Sequence, residues 1–392
     1  MYQQSKILGK FLINSKTYKK SQIRFIFTLF LILTSSIILI YSFVGGDGSS
    51  INPYQIENCS QLQNISSNLT AHYILNNNID CDGFDYGDSK GFMPIGENLT
   101  SYFNGSFDGM GYELNNLLIN RSSSTYIGLF GINYGNISNI GITNSNVYGS
   151  IGVGTLIGVN MISSFINNSY VIGNISGNMY VGGLVGYSKG LIENSYVIGK
   201  VNGSNHVGGL VGHNRYIINK SYSISNVSGS TYVGGLVGNN FGGLIQNSYS
   251  INSYIQGDSV VGGLVGLNTG GIITNSFSTN NVSASINFGG GLIGFNNSGS
   301  IINNSYWNNE TSNVNVSAGG TGKNTTDMYL QSTYNTWDTN IWTFTNTSYP
   351  QLTWTYISQI QSSSNSTILF PALNSLSILF AFMIIIGSFL FN

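Results

Sequence analysis

Residues Tyr232–Ser250 read YVGGLVGNNFGGLIQNSYS, a stretch too rich in glycine for a helix and too apolar for a loop. The phrase VGGLVG starts at Val181, Val207, Val233 and Val261, with looser copies at Ile127 (IGLFG), Val153 (VGTLIG) and Gly289 (GGGLIG). From Val153 onward the copies step by 26 to 28 residues, the range of solenoids and propellers. A second element follows each copy: LIENSYVIGKVNG from Leu191, IINKSYSISNVSG from Ile217, LIQNSYSINSYIQG from Leu244 and IITNSFSTNNVSA from Ile272. Each repeat thus offers short β-like pieces between Gly, Asn and Ser turns, with no helical period.

One such unit cannot bury a core, but stacked units can. Parallel stacking piles equivalent side chains into columns. Ile192, Ile218, Ile245, Ile273 and Ile302 are expected to share one inward column with Leu114 and Ile137. Val201, Val227, Ile255 and Val282 form a second, and Leu184, Leu210, Leu236, Leu264 and Leu292 a third. Two residues past the isoleucine stand Asn116, Asn139, Asn168, Asn194, Asn247, Asn275 and Asn304, with Lys220 the exception. Half-buried amides need partners, and a stacked ladder at a coil corner supplies them; a ligand-binding row is the alternative. Between the two columns the residue is polar and variable (Ser138, Asn167, Glu193, Asn219, Gln246, Thr274, Asn303), as an outward position should be. The alternation has period two and marks a strand.

The expected fold class is therefore all-β, a parallel β-solenoid in the form of a right-handed β-helix. Glycine lets neighbouring coils approach where a Cβ would clash, while Val and Leu supply buried area. Expected boundaries are a basic cytoplasmic segment (1–24), a signal anchor or signal peptide (25–44), an N-terminal cap with first coils (51–126), the repeats (127–306), an aromatic C-terminal cap (307–356) and a C-terminal membrane segment (368–391). All four tryptophans, Trp307, Trp337, Trp342 and Trp354, lie past the last repeat, as a lid over an open end would require.

Charge supports export. Only 7% of the 392 residues are charged, against about a quarter in ordinary soluble domains. Lys6, Lys10, Lys16, Lys19, Lys20 and Arg24 precede the apolar run Phe25–Val44 with no acid among them, which places that flank in the cytoplasm. A second apolar run, Ile368–Phe391, reads as a plain membrane anchor, with a removable lipid-anchor signal as the alternative. Between the runs seven basic residues face fourteen acidic ones, which excludes a nucleic-acid binder. Cys59 and Cys81, the two cysteines, are expected to form a disulfide in an oxidising compartment; two free buried thiols are the alternative. Sequons such as Asn64, Asn98, Asn174 and Asn226 fit a surface glycoprotein.

The glycine phrase, the I-x-N-S-Y element, the entry NPYQIENCSQLQNI…HYILNNNIDC, the hinge FNGSFDGMGYEL (from Phe103) and the segments YWN (from Tyr306) and GGTGK (from Gly319) together resemble GLUG-motif repeat proteins, over nearly all of 51–354. The resemblance implies a secreted or surface β-solenoid of bacteria or archaea. It also touches surface metallopeptidases, whose H-E-x-x-H helix is missing: His72, His206 and His213 are the histidines, and none is followed by Glu.

Little else in the sequence points to chemistry, and no cofactor is expected. His206 and His213 stand seven apart, which along a strand puts the rings on opposite faces, so they are expected to be solvated or turn residues. Asp80, Asp82, Asp85 and Asp88 form a weak calcium candidate, against a solvated turn. Tyr196, Tyr222, Tyr249 and Phe277 form either a sugar-stacking stripe or ordinary ladder packing. The expected function is a non-catalytic, membrane-tethered cell-surface protein, repeats outside, in adhesion or cell-envelope interaction with a glycan or surface protein. The alternative is a carbohydrate-active β-helix lyase or hydrolase drawing its acids from the caps, where Asp85, Asp88, Glu97 and Asp108 cluster.

Overall fold

The computed structural model describes residues 43–297 and 299–355. The basic segment, nearly all of the first apolar run and the whole of the second lie outside these residues. Among the described residues no helix is long and apolar enough to cross a membrane. Chain contacts divide the molecule after Val44, and the unit from Gly45 onward is a parallel β-solenoid of about seven turns.

The coil from Leu191 to Asn214 shows the plan. A three-residue strand, Leu191–Glu193, ends at Asn194, and Ser195 leads into the long strand Tyr196–Asn202. The chain turns at Gly203, runs through Asn205–Gly208, turns at Gly209–Leu210, and finishes with Val211–Asn214. Repetition builds sheets of ten, eighteen and seven strands, in which every strand pairing is parallel. The first two strands of the ten-stranded sheet, Tyr54–Ile56 and His72–Leu75, come from the N-terminal cap, which is thus already coil.

The inward columns hold. Ile137, Ile166, Ile192, Ile218, Ile245 and Ile273 stand in register on the ten-stranded sheet and are fully buried, while Ile302 at the end is half-buried. Leu114 does not belong there. It pairs with Ile79 and Ile142 in the eighteen-stranded sheet, and Phe107 takes the place beside Ile137. The segment ELNN at 113–116 imitates the repeat element in sequence but forms another side of its coil. Val201, Val227, Ile255 and Val282 are in register and buried, as are the five leucines.

Glycine in the repeated phrase is required by close approach. A Cβ on Gly208 would press on the carbonyl oxygen of Val211, and one on Gly209 on that of Gly235 in the next coil. Backbone meets backbone at this corner.

Two corners use the left-handed backbone region. At the first, φ is 48° at Asn168 and Asn194, 47° at Lys220, 49° at Asn247 and 47° at Asn275. Asn reaches this region at low cost because its short amide bonds locally. At the second, immediately before the glycine phrase, Tyr126, Tyr180, His206, Tyr232, Val260 and Phe288 have φ of 55° to 59°. Bulky residues rarely adopt it, at about 1 to 3 kcal/mol each, so this corner is held by the stacking of coils around it.

The four tryptophans split into two roles. Trp307 plugs the end of the core, its ring lying where a side chain on Gly291 would be. Trp337, Trp342 and Trp354 belong to a lid that lies along the flank. The lid carries a short helix, Thr325–Tyr329, capped by Asn324, and an antiparallel pair, Trp342–Thr343 with Gln351–Leu352.

Candidate functional site

At the front, Cys59 and Cys81 are joined by a disulfide, with Cα atoms 5.4 Å apart. The neighbouring acids serve the fold. Asp80 accepts from the backbone N–H of Asp82 at 3.0 Å and from the Asn116 amide at 2.7 Å. Asp85 accepts from the N–H groups of Gly87, Ser89 and Gly91, and those bonds hold its carboxyl below the usual range. Asp88 faces Arg121 through two bonds of 2.7 and 3.1 Å, and that guanidinium lowers its pKa. Asp108 accepts from the Met110 N–H and the Asn139 amide. The structure does not gather Asp80, Asp82, Asp85 and Asp88 around a common point. Among the described residues no group of three or more His, Cys, Asp or Glu side chains is arranged to hold a metal.

At the first corner Asn168 donates to Asn139 at 3.2 Å, while Asn194 donates to Asn167 at 3.0 Å and Asn247 to Asn219 at 3.1 Å. The bonds therefore often cross from the corner asparagine to the outward residue of the preceding coil. Asn116 stands apart, at a different corner, where Asn144 stacks on it and its own amide reaches Asp80. Beside this row runs a serine row. The backbone N–H of Ser169, Ser195, Ser221, Ser248 and Ser276 each donates to the serine hydroxyl of the next coil at 3.2 or 3.3 Å.

A further asparagine ladder escaped the sequence reading. Asn133, Asn160, Asn214, Asn240 and Asn268 are fully buried on the seven-stranded sheet. Asn133 donates to Asn160 at 2.9 Å, Asn214 to Asn240 at 2.8 Å, Asn240 to Asn268 and Asn268 to Asn296 at 2.9 Å. Ser188 takes the remaining rung. The signal was present as G-x-N at the end of the glycine phrase, from Gly131, Gly158, Gly212, Gly238, Gly266 and Gly294, but an asparagine at a strand end reads as a turn.

Tyr170, Tyr196, Tyr222, Tyr249 and Phe277 form a stack with centroids 4.8 to 5.1 Å apart and planes within 20°. The lid covers much of it: Trp354 meets Tyr196 and Tyr222, and Trp342 meets Tyr249 and Phe277. Tyr249 and Phe277 are buried, and burial pushes the Tyr196 hydroxyl up to about 12. This stack is core, closed to sugars along its covered part.

A second aromatic row is half-buried, and its edge reaches solvent at Phe241. On the seven-stranded sheet Tyr187 and His213 are in register and stack at 4.8 Å. Tyr180, His206 and Tyr232, from the second left-handed corner, pack beside them with His206 4.9 Å from each tyrosine. His206 and His213 lie 5.6 Å apart, not on opposite faces, and are partly to fully buried rather than solvated. The chain bends at Val207–Val211 between them, so counting along one strand gave the wrong side. Burial holds His206 down at about 4 and His213 at about 3, the latter also through nearby His206, Arg215 and Lys189. The Nδ1 atoms of both rings are buried without a hydrogen-bond partner. Lys189 lies 5.4 Å from the Tyr187 ring centroid and Arg215 lies 4.8 Å from that of Phe241.

The GLUG motif model matches residues 177–202 and 257–283, each holding most of one long strand of the eighteen-stranded sheet. Two coils of this chain thus carry the GLUG motif. Halomucin of Haloquadratum walsbyi is 33% identical over 149 residues, which are 36% of this chain and 2% of halomucin. A protein of Evansella cellulosilytica named "Putative Gly-rich membrane protein" is 36% identical over 141 residues, 34% of this chain and 15% of that protein. This chain thus spans a small part of each relative's length. Among solved structures, "a putative immunoglobulin A1 protease from Bacteroides ovatus" aligns with a TM-score of 0.54 at 23% identity, covering 80% of this chain and 95% of that one. That likeness shows the solenoid fold.

Proposed function

We propose that this GLUG-repeat chain is a non-catalytic, membrane-tethered cell-surface protein whose solenoid carries an adhesive or envelope-binding face. The observation that supports it best is the pairing of a covered aromatic stack with an uncovered one. A structural solenoid needs the first, while a half-buried row of rings that reaches solvent beside cations serves contact with something outside the chain. The relatives named as a halomucin and a membrane protein fit this reading, as do the basic flank and two apolar runs of the sequence. Of the four cap acids on which a glycosidase would draw, Asp85 caps a turn, Asp88 pairs with Arg121 and Asp108 holds Asn139, while Glu97 is exposed. Protease added to intact cells tests the proposal. Trimming of the repeats without permeabilisation is the expected result; repeats protected on intact cells but cut after the envelope is opened would overturn it.

A further inference from the structure

The second row deserves comparison with its covered twin. Both hold rings stacked from coil to coil, yet the lid lies over one, while the other is half-buried and reaches solvent at its edge. Tyr216 is 49% exposed and Phe241 43%, and Tyr187 is half-buried. These rings sit on three successive coils together with Lys189 and Arg215. Neither cation has a carboxylate partner among the described residues, where the ion pairs are Arg121–Asp88 and Lys220–Glu193. Arg215 instead leans on Phe241 and reaches the Tyr187 hydroxyl at 3.5 Å.

The local charge is the reverse of the molecule's. From Val153 to Phe288 the acids are Glu193 and Asp258, and Glu193 is taken up by Asn219 and Lys220 on the ten-stranded sheet. A positive spot with aromatic floors therefore interrupts an acidic chain. At its centre, His206 and His213 are neutral at physiological pH, each with one ring nitrogen lacking a partner. A metal is disfavoured there, because the two neighbouring cations repel it and no carboxylate offsets them.

We infer that Tyr187, Lys189, His213, Arg215, Tyr216 and Phe241 form a binding site for an acidic polysaccharide, a polymer of sugars bearing carboxylates. The chemistry matches group by group. The C–H face of a pyranose ring carries partial positive charge and packs on the negative face of an aromatic ring. A uronate carboxylate is the natural partner of an arginine fork and a lysine. A nucleic acid would also stack on rings, but two cations on an acidic chain do not make the phosphate track it needs. The site deepens the proposal of an adhesive face and rests on it for its biological setting.

The test uses the full chain in detergent with immobilised polygalacturonate, dextran and oligo-dT as probes. Retention on polygalacturonate alone is expected, weakening as salt rises. Lys189→Ala with Arg215→Ala should weaken it at least tenfold, and Tyr216→Ala or Phe241→Ala severalfold. Lys200→Ala, an exposed lysine on the eighteen-stranded sheet, should leave it unchanged. Unaltered thermal melts check that the variants fold. No retention, equal retention on dextran or oligo-dT, or indifference to the Lys189/Arg215 change would each overturn the site. If the repeats are still trimmed on intact cells in that event, surface display stands and only the ligand assignment falls.

Discussion

The side-chain amide of Asn240 donates to the Oδ1 of Asn268 one coil on, at 2.9 Å, with both side chains fully buried. The same amide also donates to the Gly243 carbonyl, and the Asn240 Oδ1 accepts from Asn214. Each rung thus satisfies the turn in its own coil and the rungs on either side. Asn240→Ala would leave the buried groups of both neighbours short of a partner, at about 1 to 3 kcal/mol for each group left unpaired. Chemical denaturation should report a loss of about 2 to 4 kcal/mol; a change under about 0.5 kcal/mol would mean that the ladder contributes little.

The strand Leu244–Gln246 offers a one-residue contrast. Ile245 is fully buried between Ile218 and Ile273, while Gln246 is partly exposed between Asn219 and Thr274. Ile245→Asp buries a carboxylate without a partner and should cost several kcal/mol, with new proteolysis near Val233–Val261 before global melting. Gln246→Asp should cost less than about 0.5 kcal/mol. Comparable melts for the two variants would refute the register.

The paired histidines should make stability depend on pH. Their folded pKa values, about 4 and about 3, lie below the ordinary 6.5. The unfolded chain then binds more protons between those limits, so stability is complete above pH 6.5 and is lost as pH falls through 6.5 toward 4. At pH 5 each buried ring accounts for about 2 kcal/mol. The groups packed around them are Tyr180, Tyr187, Tyr232, Phe241, Lys189 and Arg215. His206→Tyr with His213→Tyr copies the residues that precede them one coil back, Tyr180 and Tyr187. The double variant should lose most of the drop in Tm between pH 7 and pH 5; an undiminished drop would place its source elsewhere.

The disulfide closes a loop of 22 residues. In the chain-entropy model a loop of that size stabilises by about 3 kcal/mol. Mass spectrometry of non-reduced peptides should find Cys59 joined to Cys81. Cys59→Ser should expose the helix Cys59–Gln63 to proteases while leaving Val233–Val261 protected, because coils contact only their neighbours. Simultaneous loss of both regions would show instead that the solenoid unfolds as one unit.

By itself the sequence determined the repeat, its period and which residues of each short strand face inward. A side chain alternating with period two on a stacked strand has no other freedom: Ile192, Ile218, Ile245 and Ile273 must share one face because Glu193, Asn219, Gln246 and Thr274 cannot. Asparagine at the first corner was legible as a row, since half-buried amides need partners, while the left-handed backbone there came only with the fold. What the tertiary structure alone decided are relations across a bend. ELNN at Glu113–Asn116 copies the repeat element yet lies on another sheet, because local pattern carries no information on which side of the coil a strand occupies. His206 and His213 meet because the glycine corner folds two strands together, and their distance along the chain conceals it. The aromatic lid settles on the flank, where it packs on Tyr222, Tyr249 and Phe277, while Trp307 fills the end of the core. Which of two ring ladders is core and which reaches solvent was a matter of what else packs there, and only the folded chain decides that.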